Sequence, residues 1–290
     1  MDGLLVVDKP AGWTSHDVVA RCRRVVGQRR VGHAGTLDPD ATGVLLVGVG
    51  RVTRLLRFLS SSQKSYEGEV VLGTATSTLD ASGVPTGSWE MSSVTIEEMR
   101  EAAEHFIGDI DQVPPMVSAV KLQGRRLHEL ARAGVEVERS PRRVAVYRLE
   151  VLPGPEDSPG VFRIEVDCSA GTYIRSLAAD LGTALGGGAH LRNLRRTRVG
   201  SFGVDEAHPL EELSADHLIS PAEAMRDMRR IEAGEEVVRL ASHGLALDRV
   251  AIGATGEGPW ALLDSSGGLV AIYEATASDR VVAAVVVAPA

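Results

Sequence analysis

Cysteine is nearly absent: Cys22 and Cys168 are the only two in 290 residues. They stand far apart, with no C-x-x-C pair and no histidine at metal spacing, which excludes a disulfide scaffold and a zinc site and predicts two buried thiols in a reducing compartment. Long apolar runs are missing as well. No stretch approaches the roughly 20 uninterrupted apolar residues of a membrane span. The opening MDGLLVVDKP is too acidic and its apolar run too short for a signal peptide, so a soluble cytoplasmic protein is expected. There is no internal repeat and no low-complexity tract. Glycine clusters occur at Gly48-Val49-Gly50 and Gly186 to Gly188, but neither continues to G-x-x-G or G-K-[ST], which argues against a nucleotide-dependent enzyme.

An excess of basic charge is missing too, since the net charge is −8. This argues at first against a nucleic-acid partner, because phosphate contacts need Lys and Arg. The distribution reverses the argument. From Ser201 onward six basic residues face fifteen acidic ones, so the rest of the chain carries +1. There the basic residues gather in three places: Arg21 to Arg30, Lys121 to Arg143, and Arg192 to Arg198. A face built from these could hold a folded RNA while the acidic C-terminal part faces away or keeps the protein soluble; three unrelated solvated faces would account for the charge equally well.

The opening GLLVVDKPAGWTSHDVVARCRRVVG reads as a short strand, a turn at Lys9 to Gly12, and a helix capped near Ser15 with an apolar stripe at Val18, Val19, Cys22, Val25 and Val26. A loop from His33 to Gly43 follows, then an apolar run Val44 to Val49 and a helix from about Thr53. Lys64 to Leu72 alternates like a strand. Thr95 to Phe106 is an expected helix, with Glu98 at capping-box spacing from Thr95. Val144 to Leu152 and Val161 to Cys168 read as a hairpin, and Tyr173 to Leu185 as a helix.

Between Val113 and Arg143 the pattern weakens and the charge rises. This reads as an inserted arm with a helix at about Arg126 to Arg132, and it is expected to be poorly ordered or swung outward without RNA. After Met228, runs at Val237 to Leu240, Ala251 to Ile252, Trp260 to Leu263, Leu269 to Ile272 and Val281 to Val287 alternate with glycine turns, which predicts a small all-β module.

The segment His33-Ala34-Gly35-Thr36-Leu37-Asp38-Pro39-Asp40-Ala41-Thr42-Gly43 is the most informative. Pro39 restricts Asp38 to an extended conformation, and Gly35 and Gly43 let backbone approach a ligand, so the carboxylate is held at a fixed aim. A turn with Asp38 as a cap is the plain alternative. Arg175 falls in the first turn of its helix, where the helix dipole opposes it, and it needs an anionic partner; Asp38 is the candidate. Asp40 is read as a solvated neighbour.

The strings LLVVDKPAGWTSHDVV, GHAGTLDPDATGVL, KSYEGEVVLG, PPMVSAVK and SAGTYIRSLAADLG, five in order along almost the whole chain, resemble the TruB family of tRNA pseudouridine-55 synthases. The resemblance implies an α+β pseudouridine synthase fold with a mixed, largely antiparallel sheet. It implies a catalytic domain over 1–228, with an inserted thumb at about 113–143, and a small C-terminal all-β, PUA-like domain over 229–290. It implies a base-flipping isomerase acting on the T-loop of tRNA. That isomerisation has no net redox change and needs no activated donor, so no cofactor is expected; nor is a metal, a membrane or an obligate protein partner, and the protein is expected to be a monomer.

By the same resemblance Asp38 is the essential carboxylate, Tyr66 stacks on the base, and Arg175 pairs with Asp38. Tyr173 accompanies Arg175, His33 fills the place of the flipped uridine, and Leu194 lines the pocket. Lys9, presented at a strand end, and Lys64, at the start of the Tyr66 strand, are further expected substrate-binding residues. An enzyme that works on a base inside a folded loop must extrude it, stack on it and fill the hole, and Tyr66 and His33 have the shapes for this. The rival reading is a non-catalytic RNA-folding protein, against which the intact Asp38, Tyr66 and Arg175 argue.

Overall fold

In the computed structural model the described residues are 1–118, 121, 122, 125–127, 134, 135 and 137–287. The chain divides into two compact units, one of Met1–Pro39, Gly43–Ser61 and Val199–Ala290, the other of Asp40–Thr42 and Ser62–Arg198.

The first unit opens with β1 (Gly3–Lys9), α1 (Ser15–Val26), β2 (Val31–Ala34), β3 (Thr42–Val49) and α2 (Leu56–Ser60). β1 runs antiparallel to β3 from Gly3↔Val49 to Lys9↔Gly43, and β2 also pairs antiparallel with β3. Thr14, one residue before the expected cap, starts α1: its side chain accepts from the Asp17 amide while the Asp17 carboxylate accepts from the Thr14 amide. Gly27 closes α1 in the left-handed region at φ 64°. The expected stripe is buried at Val18, Val19, Cys22 and Val26. His33, expected in the loop, lies on β2; the short β-branched and glycine run VGHA gave too little alternation to be read as a strand.

The second unit carries β4 (Lys64–Leu72), β5 (Thr74–Thr76), β6 (Pro85–Ser88), α3 (Ile96–Glu104), β7 (Gly108–Gln112), the two-residue pair β8 (Lys121–Leu122) and β9 (Arg125–Arg126), β10 (Arg142–Pro153), β11 (Val161–Cys168), α4 (Ile174–Ala184) and β12 (Ala189–Val199). The strand order β12-β4-β11-β10-β7 makes a sheet in which β4, β11, β10 and β7 pair antiparallel. β4 alternates strictly, turning Lys64, Tyr66, Gly68, Val70 and Leu72 to the buried side. The capping box at Thr95 and Glu98 is present, and α3 packs on β10. Most of the helix expected at Arg126 to Arg132, and with it the conformation of the arm, lies outside the described residues.

The chain then returns to the first unit with β13 (Phe202–Gly203), β14 (His208–Pro209), which pairs parallel with β1, α5 (Pro221–Ala224), β15 (Arg229–Glu232), α6 (Glu235–Ser242), β16 (Leu247–Asp248), β17 (Trp260–Leu263), β18 (Leu269–Ala275) and β19 (Arg280–Val286). A five-stranded sheet forms in the order β15-β17-β18-β19-β16. Val237 to Leu240, expected as a strand, is helical. Glu235 and Glu236 sit at the positive end of the helix dipole and Arg239 pairs with Glu236 at 2.7 Å, which outweighs the β-branched pair at Val237 and Val238. Ala251 to Ile252, also expected as a strand, lies in a turn.

The two faces of this sheet serve different cores. Ala261, Leu263, Leu269 and Ile272 join Leu4, Val6, Val44, Leu46, Val52, Leu55 and Leu59 from the N-terminal elements in one cluster. Trp260, Leu262, Val270, Ala271, Tyr273 and Val281 form a second cluster with Ala241 of α6 and Leu247. Arg51 and Arg54 donate to the carbonyls of Val287 and Val286 at 2.6 and 2.8 Å, which ties the C-terminal strand region to the segment before α2.

Candidate active site

In the first unit the loop after β2 carries Asp38, and the residues on both sides of it are pinned. Ser15, the first residue of α1, accepts from the Leu37 amide at 3.0 Å and donates to the Leu37 carbonyl at 3.2 Å through the same hydroxyl. On the other side, the Pro39 carbonyl accepts from Lys9 Nζ at 2.8 Å and from the Gly12 amide at 3.0 Å. The Lys9 ammonium is fully buried and donates also to the carbonyls of Pro10 and Trp13 at 2.9 and 2.6 Å. A buried ammonium needs such acceptors to offset its desolvation. Between these clamps Asp38 is half-buried, whereas Asp40 is exposed.

His33 stands on β2 with its ring edge-on to that of His16, centroids 5.4 Å apart and planes at 80°. His16 is in the first turn of α1, so that one helix end orients the His33 ring and, through Ser15, holds the Asp38 loop. Nothing in the sequence distinguished His16 or Ser15 from ordinary cap-proximal residues.

The second unit assembles the other expected residues on β4, α4 and β12. Tyr66 is 8% exposed and faces inward from β4. Leu194 comes to the same side: its Cδ1 would lie 3.6 Å from a Cβ at Gly68, and Leu191 Cδ1 would lie 3.2 Å from it. Residues three apart on a regular strand point to opposite faces. Asn193, left-handed at φ 53°, breaks the alternation, and its amide side chain is held by Glu69 at 3.1 Å.

Tyr173 caps α4, and Gln112, buried at the end of β7, grips its backbone by donating to its carbonyl at 3.0 Å and accepting from its amide at 2.7 Å. Arg175 is buried, and donates to the carbonyls of Thr78 at 2.9 Å and Val117 at 2.7 Å. Within its own unit the anion beside it is Asp80, with Oδ2 3.5 Å from Nη1. The other Asp80 oxygen accepts from Thr78 Oγ1 at 2.5 Å, Ser82 Oγ at 2.6 Å and the Ser82 amide at 3.1 Å. Asp80 was not singled out from sequence; the dense run STLDASG was the signal, three hydroxyl residues around one carboxylate.

Lys64 is buried at the start of β4 opposite Cys168, and donates to the Ser62 carbonyl at 2.8 Å. Burial, and then the charge of the buried Arg196, push its amine down to about 8. Burial also raises the thiols of Cys22 and Cys168, to about 12 and about 11, so both are inert, protonated and free. Among the described residues no helix is long and apolar enough to cross a membrane.

The family model described as "TruB family pseudouridylate synthase (N terminal domain)" matches residues 23–174, and that of the "tRNA pseudouridylate synthase B C-terminal domain" matches residues 175–239. A protein of Rhodococcus jostii (strain RHA1) named tRNA pseudouridine synthase B is 47% identical over 279 residues, covering 94% of this chain and 90% of that protein. A protein of the same name from Thermobifida fusca (strain YX) is 50% identical over 252 residues, covering 84% and 85%. Among solved structures, a chain from a Cbf5-Nop10-Gar1 complex superposes with a TM-score of 0.75 at 27% identity, over 99% of this chain and 84% of that one. A chain from an H/ACA RNP bound to a substrate RNA containing 2′-deoxyuridine superposes with a TM-score of 0.72 at 25% identity, over 99% and 84%.

Proposed function

The chain belongs to the TruB family of pseudouridylate synthases, and from that premise we propose that it isomerises the uridine at position 55 in the T-loop of tRNA, with Asp38 as its essential carboxylate. The observation that carries this reading is the double clamp on the Asp38 loop. Ser15 holds Leu37, Lys9 and Gly12 hold Pro39, and the carboxylate between them stays half-exposed. A group that must meet a sugar carbon in one geometry gains from such preorganisation.

The reaction breaks the bond from C1′ to N1, turns the uracil, and forms a bond from C1′ to C5. The C5 proton leaves to solvent and N1 gains one, so no electrons are exchanged and no redox cofactor or activated donor is required. Asp38 acts either by attack on C1′ or by assisting elimination to a glycal. Arg175 pairs with Asp38 and keeps it ionised. Its five donors suffice for a second carboxylate beside Asp80 and the two carbonyls it already meets.

Tyr66 stacks on the extruded uracil, Leu194 supplies an apolar wall on the same side of β4, and Tyr173 accompanies Arg175 at the cap of α4. His33, oriented by His16, occupies the place the base has left. Lys64 lies near the RNA at the start of β4, and Lys9 acts through the loop it holds. In this reading residues 1–228 form the catalytic domain, the arm at about 113–143 closes on the T-stem and elbow, and 229–290 form a PUA-like domain. The protein works in the cytoplasm as a monomer without an obligate protein partner.

The test is tritium release from an unmodified T-stem-loop labelled at uridine C5, with wild type and Asp38→Asn compared. Release by the wild type alone is expected. Binding without release by either protein would favour an RNA-folding factor, and equal release by both would move the essential role to another carboxylate.

A further inference from the structure

We infer that Trp13 and the outer face of α1 form a second nucleotide subsite, where an unpaired base of the same RNA loop stacks on the indole while Arg24 meets a backbone phosphate; this rests on the proposed activity on RNA. A groove of about 360 Å³ is lined by Gly12, Trp13, Asp17, Ala20 and Arg24, all five exposed. Asp17, Ala20 and Arg24 stand at i, i+3 and i+7 and so share one face of α1. Ala20 leaves the floor shallow, and Gly12, left-handed at φ 79°, turns the chain at the rim without a side chain.

Trp13 is 36% exposed, one of eleven large apolar side chains left exposed among the described residues. An exposed indole beside a cation suits a nucleobase, since every base offers a π face whatever its sequence. The charge around it points to RNA. Among the described residues Arg21, Arg24 and Arg29 make no ion pair. Three arginines of the other basic clusters are instead engaged: Arg143 pairs with Asp109 and Asp111, Arg192 with Glu69, and Arg198 with Asp167. The one acid in the groove, Asp17, is turned to the helix cap by the Thr14 amide at 3.0 Å and hydroxyl at 2.6 Å.

The subsite is coupled to the Asp38 loop through one atom. Lys9 Nζ donates both to the Trp13 carbonyl and to the Pro39 carbonyl, so that the groove and the reactive carboxylate are two hydrogen bonds apart along the backbone. A base on Trp13 therefore belongs to a nucleotide near the target uridine rather than to a distant stem.

The experiment measures binding of an unmodified T-stem-loop to the full chain by anisotropy, with indole fluorescence and tritium release read in parallel. Trp13→Ala should weaken binding about tenfold or more, by the usual worth of base–aromatic stacking, while Trp13→Phe stays within about threefold of wild type. Saturating RNA should quench wild-type fluorescence, and Trp13→Phe should lose that quench while still binding. Arg24→Gln should lower the slope of log affinity against log salt by about one. Wild-type affinity in Trp13→Ala, or a quench that survives in Trp13→Phe, would overturn the subsite. If wild type binds but releases no tritium, the synthase reading fails and these readouts still judge the subsite; if wild type binds no RNA, both fall.

Discussion

At the scale of single residues, the clamps around Asp38 separate holding a group from supplying it. Ser15→Ala removes both hydrogen bonds to Leu37 while leaving the core of α1 intact. The expected result is a loss of roughly tenfold to a hundredfold in kcat, as for a small misplacement of a reacting group, with a smaller change in KM; steady-state tritium release distinguishes the two. Lys64 makes a different prediction. Its amine titrates at about 8 in the folded protein against 10.5 in the free side chain. Between these values the unfolded chain binds the extra proton, so stability from this group is fully present above 10.5 and is lost as pH falls through 8. At about 1.4 kcal/mol per pH unit, the effect is of order 3 kcal/mol across that window. Denaturant midpoints at pH 7.5 and pH 10 should show Lys64→Met gaining on wild type at the lower pH; equal gains at both would remove the account. Asp38 was legible because Pro39 and two glycines advertise a constrained loop. The use made of Lys9 was not, since a lysine at a strand end reads as exposed, and only the meeting of Pro10, Trp13 and Pro39 carbonyls makes burial possible.

At the scale of elements, the boundaries written in local chemistry were readable. The capping box at Thr95 with Glu98 was read from its spacing, whereas the start of α1 was placed one residue late, at Ser15 instead of the Thr14–Asp17 box; Thr14→Ala should cost about 1 kcal/mol, seen as a lower denaturant midpoint at constant slope. The strict alternation of β4 likewise declared its buried side, Tyr66 included. β12 was not readable as a strand, because its four arginines hide the apolar positions and Asn193 breaks their period. Its left-handed backbone gives a test: Asn193→Gly should be tolerated, whereas Asn193→Val should cost about 1–2 kcal/mol or more and turn Leu194 away from Gly68. Equal thermal midpoints for the two variants would show that the kink does not depend on this residue. α6 was misread for a related reason: two valines suggested a strand, while the acidic first turn and the Arg239 pair decided for a helix.

At the scale of the whole molecule, the C-terminal sheet contributes one face to the core of β1, β3 and α2 and keeps the other for itself. A chain ending at 228 would leave Leu4, Val6, Leu46 and Leu55 without Leu263, Leu269 and Ile272. Each such side chain is worth about 1.5–3 kcal/mol of burial, so the truncated protein should lose its cooperative melting transition in calorimetry or aggregate. A melt at the wild-type temperature would show instead that the cores are independent. From the sequence alone came the family, the order of most elements, and the identities of Asp38, Tyr66, Arg175 and His33 as candidates, because motif residues, caps and two-residue alternation are local properties of a chain. The tertiary structure alone decided which carbonyls satisfy Lys9, that Asp80 stands beside Arg175, that Leu194 reaches the Tyr66 side of β4, and that the C-terminal sheet completes the N-terminal core. These depend on groups tens to hundreds of positions apart, and their pairing is set by the burial that folding imposes rather than by any local pattern.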